Sequence, residues 1–399
     1  MLFSGIINEI IKDPKIKKIY TIDYQDGALN SLINDSEKLE KIYFEDRKKI
    51  NVPKDTILVM QSIVPYMIRD ELLIDDKTKL FFWNLHPENL VPNFIPFHFL
   101  NNIIRSNYIF FKRTIDFLFA KRLNLLKNFI KLSIKNNSLM FMDSSNLYNT
   151  YFKLNLKNSK DVEFLPIPVR LSKKNKKING NKVLSVSWVG RVEGFKFNIL
   201  IYILNKLSKY CFEKNIEIHF HLIGDGTLLE EVKKIKFSNN LLKIKVYGNL
   251  NYKDLIILLY DKVNLSFAMG TSALDSAKIG IPTILVDYSF KKIKNYKFRW
   301  IFDTENFDLA HEIENNEYRG PVYSLNEIIN QYLKDKKKLS IKSKKYVLEK
   351  HDINILSKTF LKKISNSKLE FGKIDKRILK KSLLRKLYYK FNNYYTGKK

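Results

Sequence analysis

The chain has 399 residues, 45% of them apolar, enough to fill substantial cores in two or three domains. Lys and Arg number 71 against 41 Asp and Glu, a net charge of +30, and such a field attracts phosphate on substrates, lipid headgroups or nucleic acid. A single cysteine, Cys211, excludes an intrachain disulfide and fits a reducing compartment, where it reads as a small core residue. No apolar run reaches the length of a membrane span, and the first twenty residues lack the pattern of a signal peptide.

In chain order, strands are expected at Lys17–Tyr24, Asp55–Ser62, Lys79–His86 and Ser138–Ser145. Each is apolar nearly throughout, as strands buried on both faces are. A long helical region is expected over Phe99–Asn137, with Phe111, Ile115, Leu118 and Phe119 on one stripe that Leu126, Phe129 and Ile130 continue, ringed by Lys and Arg. The stretch 166–182 holds Pro166 and Pro168 and then a basic, turn-prone run, and it reads as a linker between domains 1–165 and 183–360. Beyond it the strand–helix rhythm resumes through "KVLSVSWVG", "IEIHFHLIG", "LKIKVYGNL", "KVNLSFAMG" and "IPTILVD". Strands alternating with helices imply parallel sheets, so the fold class is α/β.

Successive strands of the second half end in glycine: Gly190, Gly224 with Gly226, Gly248, Gly270. In an open parallel sheet these loops gather at the carboxyl edge, where ligands bind. "MGTSALDSAKIG" reads as a strand end, a loop of small residues and a helix that Thr271 or Ser272 caps, so its first amides and dipole form an anion site. Asp275, one turn in, can reach sugar hydroxyls. The alternative is a capped helix packed closely through its alanines. "VGRVEGFK" sets Arg191 after Gly190 and Lys196 five residues later, two cations suited to one diphosphate. His219 and His221 alternate on a strand and read as buried strand histidines rather than a metal pair; no metal ligand is expected. Asp143 is a further polar group at a strand end.

In combination these segments resemble the retaining nucleotide-sugar glycosyltransferases of the GT-B fold. "VGRVEGFK" is similar to that family's GR-x4-K clamp, "HLIGDGTLLEEVKK" to its GDG turn, and "ALDSAKIGIPTIL" to its LEA-x3-G-x-P element, over Val183–Val286. The resemblance implies two Rossmann-like domains with the donor in the cleft between them. It implies Arg191 and Lys196 on the donor diphosphate, with Gly190 and Gly224 at the sheet edge. It further implies Asn249 or Leu250 near the base, amides of Gly270, Thr271 and Ser272 on phosphate, and Asp275 on the ribose. The family's first acid falls on Phe267, a departure that removes a carboxylate near the donor sugar. His86, at the end of "FFWNLH", matches a donor-touching histidine in similar enzymes and is the further catalytic candidate. The chain lacks a D-x-D triplet, which argues against the other, metal-holding glycosyltransferase fold.

The tail 361–399 carries 13 Lys or Arg and two acids, and "RILKKSLLRKLYYKFNNYY" reads as a basic amphipathic helix suited to an anionic bilayer, or to packing back on the first domain. The expected protein is a cytoplasmic enzyme, peripheral on the inner face of the cell membrane. It moves a sugar from a nucleotide-sugar donor, used as substrate with no cofactor, to a glycan or glycolipid acceptor. An epimerase of the same fold and a basic nucleic-acid-binding protein are the rival readings. The second expects Arg-rich and aromatic modules that the chain lacks, so nucleic acid is not an expected partner.

Overall fold

The computed structural model describes residues 2–62, 68, 71–90, 98–157, 162–172, 183–237, 240–315, 318–379 and 387. The chain forms two compact units, Met1–Arg170 with Ile353–Lys399, and Leu171–Asp352.

The first unit opens with α1 (Leu2–Ile10), β1 (Ile19–Asp23), α2 (Ala28–Leu32), β2 (Leu39–Tyr43), β3 (Ile50–Asn51), β4 (Ile57–Gln61), β5 (Leu72–Leu73) and β6 (Lys79–Asn84). Then come α3 (His98–Ser106), α4 (Tyr108–Leu118), α5 (Ala120–Lys135), β7 (Leu139–Phe141) and α6 (Ser144–Leu154). Its strands pair in parallel in three small sheets, β1–β2, β3–β5 and β4–β6–β7. The last is the heart of the unit. Side chains of β6 alternate across it: Leu80 and Phe82 join Leu126, Phe129 and Ile130 of α5 on one face, and Phe81 and Trp83 join Ile6 and Ile10 of α1 on the other. The expected long helical region is three helices. Leu126, Phe129 and Ile130 are buried as their spacing implies, but α4 buries nothing, and Leu118 of the proposed stripe is 65% exposed.

The second unit contains β8 (Leu184–Val189), α7 (Gly194–Lys214), β9 (Ile218–Ile223), α8 (Leu229–Lys233), β10 (Leu242–Gly248) and α9 (Tyr252–Lys262). It continues through β11 (Leu265–Ala268), α10 (Thr271–Lys278), β12 (Thr283–Leu285), β13 (Arg299–Trp300), α11 (Leu325–Lys334) and α12 (Lys336–Lys350). Its sheet has the order β10-β9-β8-β11-β12-β13, parallel except for β13. Every residue of β8 and β11 is buried, and the two serines of β8 find partners inside, Ser185 with His221 and Ser187 with Ser266. Helix α7 turns Ile199, Leu200, Ile203, Leu204, Leu207 and Cys211 inward and ends at Asn215 in the left-handed conformation. Burial pushes the Cys211 thiol up to about 11, so it is an inert core group.

The chain then returns to the first unit as α13 (Ile353–Ser365), which packs on α1. Ser367 bonds Ser138 and the carbonyl of Leu80, and Leu369, Ile374 and Ile378 enter the core around β6. Most of the expected tail helix lies outside the described residues. Among the described residues no helix is long and apolar enough to cross a membrane.

Candidate active site

The strand order of the second unit reverses direction between β8 and β11, so the connections after these two strands leave on opposite sides of the sheet. A crevice opens at their carboxyl ends, the usual ligand position in such sheets. Backbone bonds stitch the neighbouring loops together: Gly190 donates to the Ile223 carbonyl at 3.0 Å, Val192 to Asp225 at 2.9 Å and Gly224 to Gly248 at 2.8 Å. The approach is so close that a Cβ on Gly224, whose φ is +138°, would stand 2.1 Å from the Gly190 carbonyl oxygen. The glycine expected to admit a ligand is needed first for loop-on-loop contact.

These loops enclose a cavity of about 420 Å³, lined in part by Gly190, Arg191, Gly224, Asn249, Leu250 and Ser272. The geometry thus brings six of the sequence-predicted residues to one place. Leu250 also packs into an apolar cluster with Val189, Ile223 and Leu259, which fixes the loop that carries Asn249.

Arg191 is largely exposed and pairs with Glu193 at 3.2 Å. Lys196, in the first turn of α7, places Nζ 3.8 Å from the position a Cβ on Gly190 would take. Burial pushes the Lys196 ammonium below its ordinary range, the Arg191 charge adds to this, and Glu193 opposes it. The two cations stand close enough to repel, while Glu193 and Asp225 also line the cavity. A bound anion would offset the repulsion between the cations.

On the other side of the crevice stands α10. Its N-cap is Gly270 (φ 58°, ψ −137°), with no side-chain cap, so neither Thr271 nor Ser272 caps the helix as expected. The Gly270 amide already donates to the Leu309 carbonyl at 3.2 Å, which removes it from the expected phosphate anchor. Thr271 and Ser272 supply the first helical amides, which have no acceptor within a helix. Thr271 is exposed, and Ser272 faces the cavity. Ala273, Ser276 and Ala277 are buried, and Ser276 bonds Ser266 of β11 at 3.0 Å. The small residues therefore serve two ends: those of the first turn leave the cavity open, and those beyond it pack the helix on the sheet.

Asp275 is not in open solvent. Its Oδ1 accepts from Lys278 Nζ at 2.5 Å and from the Tyr252 hydroxyl at 3.3 Å, and Lys278 also donates to Tyr252 at 2.5 Å. Burial alone would lower the Lys278 ammonium, but the Asp275 carboxylate outweighs it and raises it. Both protein donors meet one oxygen, and Oδ2 is the oxygen left for a ligand hydroxyl. Phe267, at the position of the missing acid, is fully buried with its ring edge-on to Phe298.

His86 belongs to the first unit and follows β6 in an exposed turn. Its Nδ1 accepts from the Glu88 amide at 3.2 Å. Asp143 is buried and caps α6 by accepting from the Asn146 amide at 2.7 Å, a structural role. His221 is held between Ser185 at 2.8 Å and Tyr247 at 2.9 Å, and burial pushes it down to about 4. His219 pairs with Glu217 nearer the surface. Among the described residues no three His, Cys, Asp or Glu side chains group to hold a metal.

Sequence reasoning missed Glu193, Asp225 and Leu255 of the cavity. The first two stand inside the quoted motifs, where Arg191 and the glycines drew the assignment. It also missed a buried network that carries the Leu309 loop: Asp287 Oδ2 meets Arg299 at 2.5 Å and His311 at 3.0 Å, and Asp308 Oδ2 meets Arg299 at 3.2 Å and His311 at 2.6 Å. No local pattern joins residues so far apart in sequence.

No protein-family profile and no curated protein sequence matches the chain. Among solved structures it is similar to a mutant of TarM from S. aureus in complex with Fondaparinux, alpha-GlcNAc-glycerol and UDP, at 15% identity over 60% of this chain and 46% of that one, with a TM-score of 0.40. It is also similar to apo WaaB, a lipopolysaccharide outer core galactosyltransferase, at 12% identity over 78% of this chain and 99% of that one, with a TM-score of 0.40. A trehalose-6-phosphate synthase shares 11% identity over 79% of this chain and 74% of that one, with a TM-score of 0.44. These solved proteins are glycosyltransferases of the GT-B fold. The chain spans less than half the length of TarM.

Proposed function

We propose that the chain is a glycosyltransferase that takes a hexose from a nucleoside diphosphate donor. The single observation that carries this reading is a cavity at the strand-order reversal lined by Arg191 and the glycine loops, with the buried Lys196 ammonium beside Gly190 and Ser272 of the first turn of α10 on its far side. In the reaction the bond between the anomeric carbon and the diphosphate oxygen breaks. An acceptor hydroxyl oxygen bonds to that carbon and releases its proton. Negative charge grows on the leaving diphosphate, and preset cations and amides stabilise it without reorganising. Side chains thus do the charge work that a metal ion does elsewhere. Asp275, held by Lys278 and Tyr252, takes the ribose hydroxyls through Oδ2. Asn249 and Leu250 border the base. His86 orients the donor sugar.

The acceptor in this reading is a lipid-linked or surface glycan, met at the inner face of the cell membrane, in keeping with the +30 charge. Calorimetric titration with nucleoside diphosphates, followed by turnover of the matching nucleotide sugars, tests the proposal. Expected are micromolar binding of one diphosphate and transfer of its sugar to a glycan. Release of an epimerised sugar with no acceptor would assign the epimerase instead. Failure of every nucleotide to bind, with salt-sensitive binding to duplex DNA, would overturn both enzyme readings.

A further inference from the structure

Helix α4 of the first unit turns four large apolar side chains outward. Its protein-facing side sets half-buried Phe111 and Ile115 among polar ties: Lys112 pairs with Asp116 at 2.9 Å and donates to the Lys153 carbonyl at 3.3 Å, Asn155 donates to Asp116 at 3.1 Å, and the Tyr108 hydroxyl reaches the same Lys153 carbonyl. Its solvent side is apolar: Phe110 is 81% and Phe117 82% exposed, and Ile109 and Leu118 are 65% exposed. Residues 109, 110, 113, 114, 117 and 118 fall within half a turn of the helical wheel, with the two phenylalanines at its centre. A soluble helix with its apolar face outward leaves that face for something else to cover.

We infer that this face of α4 is the surface by which the protein seats on an anionic lipid bilayer. Charge decides between occupants. Over residues 98–135 there are eight Lys or Arg and one acid, Asp116. Arg113 lies within the apolar face, and Lys121 is exposed just beyond it. A second copy of the chain would bring the same cations against these and be repelled. The strongly basic tail 380–399 would meet the same repulsion. An anionic headgroup layer pairs with the rim cations while Phe110 and Phe117 enter the acyl boundary, as interfacial helices do. The inference does not rest on the reaction proposed above and requires no donor.

The test uses the full chain and vesicles of phosphatidylcholine with or without about 30% phosphatidylglycerol, the anionic lipid supplying the surface potential. Wild type is expected to sediment with the anionic vesicles only, and F110S/F117S to bind them at least about tenfold more weakly, the loss of two buried aromatic side chains. Both residues are almost fully exposed, so unchanged circular dichroism and melting are expected of the variant. The three tryptophans, Trp83, Trp188 and Trp300, are buried, so a reporter Phe117→Trp stands out by red-shifted emission. It is expected to shift blue on anionic vesicles alone. Four outcomes overturn the inference: blue emission before vesicles are added, which means that the chain covers its own face; equal binding to neutral vesicles; concentration-dependent dimerisation that F110S/F117S abolishes; and loss of binding on changing Lys380, Lys381, Arg385 and Lys386 to Gln while F110S/F117S still binds, which assigns the surface to the tail.

Discussion

Lys196 shows how little of a residue's function lies in its identity. The spacing from Arg191 was legible because strand, loop and first helical turn place positions five apart on one edge. The burial that depresses the ammonium was not, because spacing alone does not say how far a lysine is withdrawn from water. This sets a sign. If, as proposed, a diphosphate binds the protonated amine, its affinity is expected to fall as pH rises through the lowered pKa of the free protein, and Lys196→Met should flatten that slope in calorimetric titrations. In turnover, Arg191→Ala and Lys196→Met are each expected to cost at least about 2 kcal/mol in kcat/KM, as loss of a charged contact does. Rates within threefold of wild type, with folding intact, would remove the clamp assignment. Gly224 gives the complementary case. Gly224→Ala forces a methyl group onto the Gly190 carbonyl, so loss of the fold is expected rather than a selective loss of binding, read by thermal denaturation.

The element with the most to explain is α10 and the loop that holds it. Small residues in "GTSALDSA" left two readings open in the sequence; beyond the first turn they pack the helix on the sheet, and in the first turn Ser272 stands on the cavity. What no sequence pattern revealed is that Gly270 hangs from Leu309, in a loop carried by Asp287, Arg299, Asp308 and His311. Removing one member of a buried charge network strands the others. Arg299→Met is therefore expected to cost about 3–5 kcal/mol, measured by urea denaturation. His311 adds a pH signature. Burial alone would lower it, but Asp287 and Asp308 outweigh burial and raise it to about 9. Its charged contacts are then fully present below the unfolded value near 6.5 and are lost as pH rises through about 9. The melting temperature of wild type is expected to decline across that window more steeply than that of His311→Leu. Parallel declines would mean that His311 is neutral in the fold.

At the scale of the whole molecule, the two units differed in legibility because they differ in how they close. The second is one continuous segment whose central strands β8 and β11 are buried on both faces, so apolar runs and terminal glycines announced nearly every strand. The first pairs its strands in three short sheets and closes its core only when the chain returns as α13 and the segment to Ile378. Local patterns do not mark where the return begins: residues 353–360 were expected in the second domain, and only the tail 361–399 carried packing back on the first domain as one of its two readings. Phe360, Leu369, Ile374 and Ile378 are nearly fully buried in the first unit. Burial of four such side chains contributes roughly 6–12 kcal/mol. That is on the order of the entire stability of a domain, about 5–15 kcal/mol. A chain ending at Asp352 is thus expected to keep a folded second unit and lose the first, read as protease resistance confined to 183–352 and loss of near-ultraviolet signal from Trp83. The segment 171–352 alone is expected to fold and to bind a nucleoside diphosphate within about threefold of the full chain, since the two cations and the α10 amides all belong to it. If that segment folds but no longer binds the nucleotide that the full chain binds, residues of the first unit hold the nucleotide as well as the sugar, and His86 becomes the first of them to test.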